Sequence, residues 1–87
     1  MSSQTVIITG ASRGLGAAAA RILAELGARV VLNARSEGDL NTVAGSIRAA
    51  GGQAIAVAGD ISQPAVSRAL VETALSQFGG LDAIVNN

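Results

Sequence analysis

The chain has 87 residues, 49% of them apolar and only 14% charged, which fits one small packed domain, or part of a larger one, and excludes a disordered chain. Six basic residues balance six acids, so the net charge is zero and no nucleic-acid partner is expected. Cys and His are both absent, which excludes a disulfide framework, removes the common zinc ligands and leaves no histidine base, so no metal site is expected.

Thr5–Thr9 is a continuous β-branched run that stops at Gly10. It predicts a strand buried on both faces, as in a parallel sheet. From Leu15 onward, Ala18, Ala19, Ile22, Leu23 and Leu26 recur at helical spacing. They predict a helix whose inward stripe they form, with Gly27 as its stop. Arg29–Ala34 is a second apolar strand. Ser36 predicts an N-cap, and Leu40, Val43, Ala44 and Ile47 predict the helix behind it, ended by Gly51 and Gly52.

Gln53–Ala58 is a third strand, closed by Gly59 and Asp60. Ser62 predicts the cap of a third helix with Pro64 in its first turn. Val66, Leu70, Ala74 and Phe78 line one side of that helix, and Gly79-Gly80 end it. Leu81–Val85 is the fourth strand. No apolar run reaches the roughly 20 residues of a membrane span, and the opening Met1–Thr5 has no basic leader. A cytoplasmic protein without membrane contact is therefore expected.

The order β-α-β-α-β-α-β with short connections predicts an α/β fold: a parallel sheet with right-handed crossovers and helices on both faces. Residues 1–87 form one unit with no linker or low-complexity tract.

The turn from the first strand into the first helix is Gly10-Ala11-Ser12-Arg13-Gly14-Leu15-Gly16. Gly10 permits backbone angles closed to other residues. Gly14 lets the main chain approach a ligand with no Cβ in the way, and Gly16 lets the helix sit close to the strand. The helix start offers unpaired N–H groups and a positive dipole end, which suit a pyrophosphate. The spacing is G-x-x-x-G-x-G, and no Lys follows in the position of a P-loop.

With Thr9 before it, this turn resembles that of the short-chain dehydrogenase/reductase family. Gly59-Asp60-Ile61 and Leu81-Asp82-Ala83-Ile84-Val85-Asn86-Asn87 carry the same resemblance, the last being similar to the start of the family's Asn-Asn-Ala-Gly motif. The likeness is nearest to the ketoacyl-carrier-protein reductase type and covers the N-terminal half of the family's domain. It implies half of a Rossmann fold with strand order 3-2-1-4.

The resemblance also implies a cofactor. Family members that bind NAD carry an acid at the end of the second strand, where this chain has Asn33-Ala34-Arg35 followed by Ser36. Arg35 and Arg13 suit the 2′-phosphate of NADP, which accepts forked, charge-assisted bonds. NADP is expected in preference to NAD, although Glu37 and Asp39 are alternative partners for Arg35. Asp60 would contact the adenine with the Ile61 backbone beside it, Ser12 would serve the phosphates, and Asn86 and Asn87 would flank a ribose.

In the family a Tyr, a Lys and a Ser carry hydride transfer, all beyond the Asn-Asn-Ala-Gly motif. This chain has no Tyr and no Lys. The reading is therefore a cofactor-binding half with no catalytic residue of its own, inactive alone and binding no substrate. The alternatives are a half-domain that only self-associates, and an enzyme completed in trans. Ala83–Val85 would be an open apolar edge, and a homodimer through that fourth strand is expected.

Overall fold

Four consecutive buried residues, Thr5–Ile8, make the strand β1 inside the sheet of a computed structural model that describes residues 4–87. The elements that follow are α1 (Gly14–Glu25), β2 (Arg29–Ala34), α2 (Glu37–Ala49), β3 (Gln53–Ala58), α3 (Pro64–Phe78) and β4 (Ala83–Val85). The strands form one parallel sheet in the order β3-β2-β1-β4, as the family resemblance implied. The order reverses between β1 and β4. Right-handed connections therefore put α1 and α2 on one face and α3 on the other.

Each face has its own core, because alternate residues of a strand point to opposite sides. Val6, Ile8, Val30 and Leu32 pack against Ala17, Ala20, Leu40, Val43, Ala44 and Ile47. Ile7 and Val31 pack against Leu70 and Ala74, with Val66, Phe78 and Leu81 partly covering them. Central β1 and β2 are buried on both sides, whereas β3 at the sheet edge leaves Ile55 and Val57 half-buried.

The stripe expected on α1 is corrected. Leu15, Ile22 and Leu26 are 81%, 57% and 57% exposed, and the buried face is Gly16, Ala17, Ala20 and Ala24. The reason is distance: a helix that starts tight against the strand has room only for small side chains. Leu23 alone of the large residues is half-buried against that core.

Smaller differences concern element ends. The N-cap of α3 is Gln63 and not Ser62, whose N–H and hydroxyl both turn back to Asp60. Ser36 stands at the N-cap of α2, but its hydroxyl donates to Asp39 and caps no backbone amide. β4 begins only at Ala83, because Asp82 is occupied otherwise. Its Oδ2 accepts the Thr5 N–H at 2.7 Å, and its own N–H donates to the Thr5 carbonyl at 2.9 Å. This two-way link fixes the register of β4 on β1. Asp82→Ala is expected to lower stability by about 1 kcal/mol, seen as a drop of roughly 4–8 °C in Tm by circular dichroism. An unchanged melt would remove that role.

Among the described residues, no helix is long and apolar enough to cross a membrane, and no cluster of three or more metal-ligating side chains occurs.

Candidate nucleotide groove

All four strands run the same way, so the loops at their carboxyl ends meet. The turn after β1, the end of β2, the turn after β3 and the segment after β4 enclose a groove of about 330 Å³. Gly10, Ser12 and Arg13 come to it from the first turn, and Asn33, Arg35 and Ser36 from the second strand. Ile61 and Asn87 complete the set of expected residues that line it, together with Thr9, Ala34 and Gly59. Gly14, Leu15, Gly16, Asp60 and Asn86 do not line it. A larger hollow of about 530 Å³ lies between α1 and α2, beside Arg21, Glu25 and Gly51, and includes none of the residues expected to bind a cofactor.

The first turn of α1 has the character of an anion cradle. The N-cap, Arg13, makes no side-chain bond to the first-turn amides, and no acid stands among them. Gly14 has φ +60°, and a Cβ built there meets nothing within 4 Å. Gly16 is the opposite case. A Cβ there would lie within 2.1 Å of the Gly10 carbonyl oxygen and 2.8 Å of Asn87 Nδ2. One glycine keeps the approach open, and the other lets the helix close on the strand. A diphosphate therefore fits the arrangement.

The segment after β4 closes the back of the turn. The Asn87 N–H donates to Thr9 Oγ1 at 3.1 Å, and Asn87 Nδ2 donates to the Gly10 carbonyl at 3.3 Å. The Thr9 hydroxyl lies 3.4 Å from the Val85 carbonyl and 3.5 Å from Asn86 Oδ1, two acceptors for one proton. Asn86 and Asn87 thus support the glycine turn from below.

Arg35 finds a partner that neither Glu37 nor Asp39 provides: its Nη2 lies 3.4 Å from Asp60 Oδ2. The Arg35 side chain is nonetheless 80% exposed, so the pair is a loose surface one. Asp60 Oδ1 accepts the Ser62 N–H at 2.9 Å and the Ser62 hydroxyl at 2.8 Å. The Ser62 amide is the main cause and the Ser62 hydroxyl the next; burial opposes them, and Arg35 adds a lesser share, so the Asp60 carboxyl is held below its ordinary value. A carboxyl lowered by folding stabilises the fold above the ordinary aspartate pKa. That contribution disappears as pH falls through the lowered value. Ser62→Ala keeps the amide bond and loses the hydroxyl, so the Asp60 midpoint in a carboxyl NMR titration is expected to move up towards the ordinary value. A midpoint that does not move would refute the hydroxyl's share.

Two residues have partners that sequence reasoning did not reveal. Asn33, expected among the cofactor contacts, lines the groove and is 2% exposed, and its amide donates to the Val57 and Gly59 carbonyls at 3.0 and 3.2 Å. Its signal was an amide inside an otherwise apolar strand. Asp82 carried only a faint one, a lone acid at the start of a strand.

Residues 4–87 match the family model described as short chain dehydrogenase. An uncharacterized oxidoreductase of Methylorubrum extorquens is 50% identical over an alignment of 88 positions that covers all of this chain and 36% of that protein. The ketoacyl reductase HetN of a Nostoc species is 41% identical over the whole chain and 30% of its own length. The chain thus spans about a third of the length of the curated relatives it matches. Among solved structures, a metagenomic short-chain oxidoreductase in complex with NADP superimposes with a TM-score of 0.90 at 47% identity, over 100% of this chain and 39% of that one. L-sorbose reductase from Gluconobacter frateurii, complexed with NADPH and L-sorbose, gives 0.94 at 40% identity over 100% and 34%.

Proposed function

The chain belongs to the short chain dehydrogenase family, and from that premise we propose that its groove binds NADP(H). The observation that carries the reading is the uncapped start of α1, with open space before Gly14. The pyrophosphate rests on the amides of that turn, with Ser12 beside it. The 2′-phosphate takes Arg35, helped by Arg13, where Ala34 offers no acid to repel it. Asp60 and the Ile61 backbone border the adenine. Two structural neighbours, one in complex with NADP and one with NADPH, support the choice of cofactor.

The parent reaction we assign is hydride transfer between NADPH and a carbonyl or alcohol. These 87 residues contain neither Tyr nor Lys, so the segment binds the cofactor without performing that transfer alone. Titration of the chain with NADPH, followed by nicotinamide fluorescence and competed with 2′,5′-ADP, tests the reading. Saturable binding is expected, and silence at millimolar ligand would overturn it.

One observation favours self-association beside this. Among the described residues β4 has β1 as its single sheet neighbour, and Ile84 is 52% exposed there. Two copies joined through β4 would continue the sheet about a two-fold axis. Sedimentation velocity is expected to show a dimer, and a clean monomer at all concentrations removes the proposal.

A further inference from the structure

We propose that Asn33 is a positioning residue that sets the separation between the two ends of the groove. This rests on the nucleotide reading above and adds a residue whose work is done from inside the protein. The β2 run Val30, Val31, Leu32 is fully buried, and Asn33 continues it at 2% exposure. A buried primary amide is costly unless its donors are used. Both are: Nδ2 donates to the Val57 carbonyl at 3.0 Å and to the Gly59 carbonyl at 3.2 Å. The Asn33 main chain serves the other side, where its carbonyl accepts the Ala11 N–H at 2.9 Å.

One residue therefore grips both turns. Its carbonyl holds the glycine turn that receives the diphosphate. Its side chain holds the peptide that leads directly into Asp60, whose carboxylate in turn gathers Ser62 and Arg35. The requirement for Asn is specific. Two carbonyls two residues apart on one strand end need two N–H donors on one planar group. Asp has none when ionised, Ser and Thr have one, and Leu has the shape but no donor.

The separation of roles gives the test. Asn33→Ala in the 87-residue chain keeps the carbonyl and removes the amide. Binding of 2′,5′-ADP, which spans both turns, is expected to weaken by roughly tenfold or more. Inorganic pyrophosphate, which needs only the glycine turn, is expected to bind as before. The Ser62 amide should exchange with solvent roughly tenfold faster, because the turn it closes has lost its anchor.

Unchanged 2′,5′-ADP affinity together with unchanged Ser62 exchange overturns the proposal. A parallel weakening of pyrophosphate also overturns it, since the residue would then act through stability alone. If Asn33→Ala does not reach the parent's circular dichroism spectrum, Asn33→Ser gives the same three readouts with one donor kept. The parent chain decides as well: the Asn33 side-chain protons must exchange far more slowly than those of exposed Asn41, and equal rates sink the idea. If the parent binds neither ligand, the nucleotide reading falls, while Ser62 exchange still judges Asn33.

Discussion

Gly16→Ala is expected to abolish the cooperative fold at room temperature or bring it close to that point. The added Cβ would sit 2.1 Å from the Gly10 carbonyl oxygen and 2.8 Å from both the Gly10 carbonyl carbon and Asn87 Nδ2. Two of those three atoms are backbone, so no side-chain rotation relieves the contact. Either α1 lifts from the sheet or the glycine turn opens. The small face of Ala17, Ala20 and Ala24 loses its close fit in both cases. Overpacking of this severity costs about 3 kcal/mol or more, and in a domain of this size that corresponds to a Tm lowered by roughly 12–24 °C. Gly14→Ala is the control. Its Cβ meets nothing, so the cost is that of a left-handed backbone, about 1–2 kcal/mol, and its larger effect falls on ligand approach. A Gly16→Ala protein that melts within a few degrees of the parent would refute the packing argument.

Arg35→Ala should remove the preference for a 2′-phosphate. The Arg35 side chain lines the groove, is largely exposed and has one long contact, to Asp60, so a phosphate competes easily for it. Exposed pairs of this kind contribute about 0–1 kcal/mol, whereas a charge-assisted bond to phosphate inside a groove contributes about 1.5–3 kcal/mol. Loss of Arg35 is therefore expected to weaken 2′,5′-ADP by roughly 10- to 100-fold and to leave ADP nearly unaffected. Calorimetry with both ligands on both proteins measures the ratio. If ADP weakens equally, Arg35 does not discriminate, and the selection of NADP loses its basis.

Much of the fold was legible because the signals were local. Runs such as Val30–Leu32 and punctuation such as Gly79 speak for themselves within a few residues, alternation then implies a parallel sheet, and the strand order came from the family resemblance. The face of α1 was misread because hydrophobic spacing ranks Leu15, Ile22 and Leu26 above alanine. What decides that face is room, and the glycine turn leaves little of it. Some of the groove's lining was legible where side chains announce their chemistry, as in Arg13 and Arg35. Asn33 and Asp82 were not, because their partners are backbone groups from other strands, Val57, Gly59 and Thr5. A main-chain carbonyl has no letter in the sequence.

The link between Asp82 and Thr5 joins positions 77 residues apart, and Asn87 reaches Thr9 across 78. The glycine turn is translated well before its supporting wall, which arrives only with β4. Closing so long a stretch delays the gain until β4 is present, which slows folding. A nascent chain carrying β1, α1 and β2 alone would hold an unfinished cradle, and ligand in the surroundings could not assist its earliest folding steps.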